Sequence, residues 1–187
     1  MSIQLASGSP RRRDLLSWSG LDVIVCPQDI DETWDQTRDP VQHAEYLAAE
    51  KCRSALSHSQ PDEVVLAADT VVHLDGQIFD KPTDRDEARH HLRTLSGHVH
   101  QVTTGVAIAR SGTAPRVFSA TTRVRFRVLS DAEIDRYVLT GEADDKAGAY
   151  AIQGQGGAFV AEVHGSWTNV MGLPLEATLA ALRELRP

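Results

Sequence analysis

Cysteine is scarce in this chain: Cys26 and Cys52 are the only two among 187 residues. They stand at no metal or redox spacing, and two thiols cannot build a disulfide framework. Reduced thiols and a cytoplasmic location are the expectation. No apolar run approaches the ~18 residues that a membrane span needs, and the first residues show no basic-then-apolar-then-small secretory pattern. No membrane is therefore expected as a partner. Internal repeats, low-complexity tracts and obvious linkers are missing too. Positive charge is in deficit, with a net charge of −7. That excludes a nucleic-acid binder working by general electrostatics, while leaving room for a local basic pocket. Lysine is rarer still: of nineteen basic residues only Lys51, Lys81 and Lys146 are lysines. A solvated surface position tolerates either cation, whereas a site needing a compact ammonium with rotatable donors does not. The three lysines are thus candidates for chemistry.

What is present is enough for one soluble domain, 1–187, with a real core: 41% of residues are hydrophobic and 24% charged. Strand and helix signals alternate, which points to an α/β fold. Strands are expected at 3–6, 22–26, 64–68 with resumption at 71–74, and 158–163. Residues 100–110 and 116–127 read as a long antiparallel pair. Helices are expected from Pro40 to about Ser57, from Asp84 to Ser96, from Ser130 to about Leu139 with Glu133 completing a capping box, and from Pro174 to Leu185. Asp75-Gly76 is a hairpin turn. Residues 141–157 are Gly-rich and irregular, as a site loop often is.

The stretch richest in chemical information runs from Gln4 to Leu16. A short strand ends in the tight loop Ser7-Gly8-Ser9. Ser9 is a good N-cap and Pro10 suits the first helical position. Arg11, Arg12 and Arg13 then crowd the first turn, where cations oppose the helix dipole unless an anion offsets them. A small-residue loop, free helix N–H groups and forked guanidiniums make an oxyanion site, most simply for phosphate; the plainer alternative is a capped helix with solvated arginines. Asp69 emerges from an apolar run, a costly place for a carboxylate unless it is paired or binds metal. It can be a general base for water or a Mg²⁺ ligand, or merely a turn aspartate. Asp29, Asp31 and Glu32 form an acidic cluster that suits Mg²⁺ beside phosphates, or a solvated loop. Lys51 and Lys81 can reach phosphates as point charges. Near Lys146, Gln153 can donate and accept at once, as reading a base edge requires. His90, His91, His98 and His100 match no zinc spacing.

Leu5-Ala6-Ser7-Gly8-Ser9-Pro10-Arg11-Arg12, Ala68-Asp69-Thr70, Lys81-Pro82, Leu95-Ser96-Gly97 with His100, Thr104-Gly105, Asp145-Lys146-Ala147-Gly148, Ile152-Gln153-Gly154 and Gly172-Leu173-Pro174 stand in the order of the Maf family. The chain resembles these nucleoside triphosphate pyrophosphatases, historically named septum-formation inhibitors, over nearly its whole length. The resemblance implies an elongated α/β fold of Maf/ITPase-like type, a mixed sheet flanked by helices with two lobes around a central cleft. It also implies a hydrolase acting on acid anhydrides, with a divalent metal: Mg²⁺, or alternatively Mn²⁺ or Co²⁺. Arg11, Thr70 and Gln153 match the dTTP/UTP-type subgroup rather than the 7-methyl-GTP type, which usually carries tryptophan, glutamine and glutamate there. Trp167 stands where the family often has tyrosine.

On that resemblance Ser7, Ser9, Arg11 and Arg12 hold phosphate oxygens. Lys51 and Lys81 neutralise developing charge, and Glu32 and Asp69 hold the metal. Asp69 orients or deprotonates the water that strikes the α-phosphorus. Thr70, Lys146 and Gln153 complete the substrate contacts. A homodimer is left open. The rival readings are a non-catalytic nucleotide-binding regulator of cell division and a phosphatase releasing inorganic phosphate.

Overall fold

In the computed structural model, which describes residues 3–185, an uninterrupted strand of eleven residues, β3 (Val64–Leu74), carries Asp69 in its middle. The expected break at Asp69-Thr70 does not occur. Nine of the eleven side chains are buried, so the apolar run on either side holds the polar pair in the strand. Before it come β1 (Ile3–Leu5), α1 (Pro10–Trp18), β2 (Val23–Val25) and α2 (Pro40–Leu56). After it come β4 (Gln77–Phe79), α3 (Arg85–Leu95), β5 (Val99–Arg110), β6 (Arg116–Phe126), α4 (Asp131–Leu139), β7 (Val160–His164), α5 (Trp167–Val170) and α6 (Leu175–Glu184). Two short 3₁₀ turns, Ala147–Ala149 and Gln155–Phe159, punctuate the Gly-rich stretch. The sheet is mixed, in the order β2-β1-β3-β5-β6-β7 with β4 paired to β3. β1 is parallel to both β2 and β3, whereas β4 and β7 run antiparallel to their partners. The α/β expectation therefore holds, as a seven-stranded mixed sheet with helices.

Local signals explain most boundaries. Asp39 caps α2 in a capping box with Gln42, and Ser130 does the same for α4 with Glu133. The Asp84 side chain accepts from the N–H groups of Asp86 and Glu87. Asp75 and Gly76 both adopt positive φ (50° and 84°), the left-handed pair that a tight two-residue hairpin requires. Ser9 departs from expectation: it holds the N-cap position of α1, but its side chain makes no capping hydrogen bond. Helix α5 was not legible, since four residues carry no period.

The chain divides into two compact units, Met1–Thr70 with Thr104–Ala120 and Gly172–Pro187, and Val71–Thr103 with Thr121–Met171. In the first, α2 lies close against the strands because the contact is built from small residues, among them Ala6, Ala48, Cys52, Ala67 and Ala107. Burial pushes the Cys52 thiol up to about 12, so it is an inert core group, and neither cysteine is in a disulfide. Gly105 marks the tightest approach: a Cβ there would lie 2.3 Å from the Ala44 carbonyl oxygen of α2. Gly105→Ala should accordingly cost about 1–3 kcal/mol through overpacking. A urea midpoint equal to wild type would contradict this packing.

The second unit is organised by aromatic rings. Phe126 meets Tyr150 and His100 edge-to-face, each at 4.8 Å between centroids, and Tyr137 meets Phe159 at 4.9 Å. Fully buried His100 shares a 2.9 Å hydrogen bond with the Tyr150 hydroxyl. Burial, with a smaller push from His73, holds its imidazole down at about 3, so it stays neutral. His91 packs on Phe79, while His90 and His98 are exposed. No group of three or more His, Cys, Asp or Glu side chains among the described residues is placed to hold a metal. Among them too, no helix is long and apolar enough to cross a membrane.

Candidate active site

The turn after β1 is held from both sides. Ala6 N–H donates to Leu66 O and Ser7 N–H to Leu5 O, both at 2.8 Å. Buried Ser7 then accepts through Oγ from the Ser9 N–H (3.3 Å) and from Arg12 Nη1 (2.8 Å). The same guanidinium donates from Nε to Gly172 O (2.8 Å) and from Nη2 to Thr70 Oγ1 (3.0 Å). Thr70 Oγ1 in turn shares a 2.9 Å hydrogen bond with Thr104 Oγ1. Arg12 thus ties the turn after β1, β3, β5 and Gly172, three residues ahead of α6, into one network. Burial lowers its pKa; Asp69 opposes that shift, neighbouring Arg11 adds to it, and Glu32 opposes it. Arg11 is half-buried, and Arg13 is exposed beside Asp14 at 3.3 Å. The arginine-rich turn is therefore not three solvated cations.

A second network lies beside it. Asp69 and Lys51 are 8% and 7% exposed, and Lys51 Nζ stands 2.6 Å from Asp69 Oδ1. Glu32, from the loop before α2, reaches the same ammonium through Oε1, also at 2.6 Å. A buried carboxylate is tolerable only with such a partner. Among the described residues Lys51 has no third partner, and an ammonium has three donors, so one N–H is left without a protein acceptor. β1 pairs with Val64–Leu66 and β4 with Val72–Leu74, and Asp69 and Thr70 fall between those registers. Lys51 takes only one oxygen of each carboxylate, and the remaining Glu32 Oε2 and Asp69 Oδ2 are hard donors that fit Mg²⁺, which is commonly bound by one or two carboxylates plus substrate phosphate oxygens and water. Glu32 and Asp69 are the residues that would hold such an ion.

These contacts gather Ser7, Arg12, Glu32, Lys51, Asp69 and Thr70, with Ser9 and Arg11 alongside, in the first unit. The other expected site residues belong to the second. Lys81 is exposed, two residues after β4. Lys146 is paired with its neighbour Asp145 and precedes Gly148, whose φ of +69° and approach to Val72 exclude a side chain. Gln153 is exposed. No direct bond joins these three to one another among the described residues. The direct pairing of Lys51 with both carboxylates was missed from sequence, as were the parts played by Thr104 and Gly172. Thr104-Gly105 and Gly172-Leu173-Pro174 were visible as motifs, but nothing in them foretold a link to Arg12.

A family model described as "Maf-like protein" matches residues 2–185. A protein of Chromobacterium violaceum named "dTTP/UTP pyrophosphatase" is 49% identical over 186 residues, covering 97% of this chain and 93% of that protein. One of the same name from Anaeromyxobacter dehalogenans (strain 2CP-C) is 52% identical over 182 residues, covering 96% and 91%. Among solved structures, a HAM1 protein from Coxiella burnetii superposes with a TM-score of 0.55 at 18% identity, covering 98% of this chain and 99% of that one. That likeness concerns the fold alone.

Proposed function

Because this chain belongs to the Maf-like family, we propose that it is a nucleoside triphosphate pyrophosphatase cleaving dTTP and UTP to the monophosphate and pyrophosphate. The observation carrying the reading is the buried Asp69 carboxylate, held 2.6 Å from Lys51 in a network that also takes in Glu32. The names of the relatives from Chromobacterium and Anaeromyxobacter point the same way.

Ser7, Ser9, Arg11 and the arginine network hold phosphate oxygens. Arg12 spends three of its donors within the protein, so it also keeps the Ser7 turn and Thr70 in place. Asp69, its Oδ1 fixed by Lys51, orients a water and takes its proton as the water attacks the α-phosphorus. The remaining Lys51 donor and Lys81 offset negative charge that grows on the phosphate oxygens, the dominant need in phosphoryl chemistry. A divalent cation held by Glu32 and Asp69 would add positive charge at those same oxygens. Incubating UTP with Mg²⁺ and identifying the products tests the assignment. UMP with pyrophosphate supports it; UDP with inorganic phosphate, or bound but intact UTP, overturns it.

Two variants test the outlying residues. Lys81→Arg keeps charge but replaces a compact ammonium with a wide planar fork. It should lower kcat on the order of tenfold, and full activity would remove Lys81 from the phosphate site. Gln153 reads the base. Uracil and thymine present acceptor, N3–H donor and acceptor in a row, and one amide can pair with N3–H and a neighbouring carbonyl together. Cytosine lacks the N3–H and carries an amino donor, leaving a group unpaired beneath the bound base at about 1–3 kcal/mol. UTP and dTTP should be cleaved faster than CTP, and Gln153→Glu should shrink that preference. An unchanged ranking in kcat/KM would take Gln153 out of base reading.

A further inference from the structure

The Gln153 turn is closed on itself and gripped from behind. Gly154 N–H donates to Ala151 O, and Gly157 N–H to Gly154 O, both at 3.1 Å. On one flank of Gln153, the Ala151 N–H donates to the Tyr137 hydroxyl at 3.1 Å. On the other, the Gln155 and Gly156 N–H groups donate to Glu142 Oε2 and Oε1, each at 3.0 Å. The two flanks are joined, since the Tyr137 hydroxyl donates to Glu142 Oε1 at 2.9 Å. The turn lies so close to this carboxylate that a Cβ on Gly154 would stand 2.4 Å from Glu142 Oε2. Tyr137 is itself fixed by its ring contact with Phe159. Partial burial disfavours the Glu142 anion, but the Gly156 and Gln155 N–H groups, the Tyr137 hydroxyl and the charge of Lys146 outweigh it and hold the carboxyl below its usual range. An ionised carboxylate is the acceptor that three donors require. The Gln153 amide has no hydrogen-bond partner among the described residues, so only its backbone fixes where it points.

We infer that Glu142, acting with Tyr137, is a positioning residue for Gln153: it clamps the N–H groups that flank the turn and thereby sets pyrimidine selectivity without touching the nucleotide. This rests on the reading of Gln153 as the base-reading residue. Glu142→Gln is nearly isosteric, but it turns one of the accepting oxygens into a donor facing a backbone N–H or the Tyr137 hydroxyl. The turn loses its fixed register while the phosphate-binding residues of the first unit keep all their contacts.

The test is kcat/KM for UTP and CTP in wild type, Glu142→Gln, Gln153→Ala and the double variant. In Glu142→Gln the UTP-to-CTP ratio should fall about fivefold to tenfold, the worth of one misplaced hydrogen bond, with kcat/KM for CTP within about twofold of wild type. The double variant should match Gln153→Ala, because a clamp with nothing to aim has no further effect. A merely structural role would lower both substrates together. If Gln153→Ala lowers the ratio and Glu142→Gln does not, the clamp is overturned and base reading stands. If Gln153→Ala leaves the ratio unchanged, base reading fails and the clamp with it. A double variant less selective than Gln153→Ala would place Glu142 on another path and overturn the inference. Should Glu142→Gln fail to fold, Tyr137→Phe removes the hydroxyl linking the two flanks. It carries the same expected and overturning results.

Discussion

Asp69→Asn should abolish most turnover, lowering kcat by about 10²–10⁴ as expected for loss of one positioned acid–base group, while the protein folds. The amide is nearly isosteric with the carboxylate and keeps an acceptor for Lys51 Nζ. It cannot take a proton from water, and it is a poor ligand for a hard cation. Asp69 is buried inside β3, whereas the other carboxylate on Lys51 is not. Glu32 is nearly half exposed and approaches Lys51 from a loop. Steady-state kinetics with UTP, beside a urea melt that shows a folded protein, checks the claim. Near-wild-type kcat in a folded Asp69→Asn protein would contradict it.

Lys51→Met should damage both stability and activity. The side chain is held inside α2 between two carboxylates. Removing it strips Asp69 of its direct ion pair and leaves a buried charge that only the field of Arg12 offsets. Breaking such a pair from one side costs about 3–5 kcal/mol, with Glu32 adding little because water already screens it. Activity should fall at least tenfold, through loss of the Lys51 donor and of the anchor for Asp69 Oδ1. The signature is in the double variant. Lys51→Met with Asp69→Asn removes the stranded charge and should regain much of the stability lost by Lys51→Met alone, with no gain in turnover. Urea denaturation of the four proteins measures the coupling. Simple additivity of the two single effects would mean that the pair does not interact as the 2.6 Å contact requires.

How much was legible beforehand depends on whether the deciding interaction is local. The Ser130–Glu133 capping box and the Asp75-Gly76 hairpin are each written in at most four consecutive residues, and both occur as read. Ser9 stands at the N-cap as read but lends no side-chain bond to the helix; its N–H instead closes the turn onto Ser7, whose hydroxyl also receives Arg12. The break expected in β3 failed for a tertiary reason, since Lys51 compensates Asp69 from eighteen positions away and a strand can then carry it. The expectation that Asp69 needed a partner came from burial alone. That the partner is a lysine shared with Glu32 could not be read, because nothing local links residues 32, 51 and 69. Arg12 illustrates the limit most clearly. Its bond to the Gly172 carbonyl spans 160 residues.

The central claim is that Asp69 directs water at the α-phosphorus and that pyrophosphate leaves intact. A single turnover of UTP in ¹⁸O-labelled water, with both products analysed by mass spectrometry, tests it most directly. The expected result is one ¹⁸O atom in UMP and none in pyrophosphate. Label in the pyrophosphate would place the attack at the β-phosphorus and contradict this mechanism.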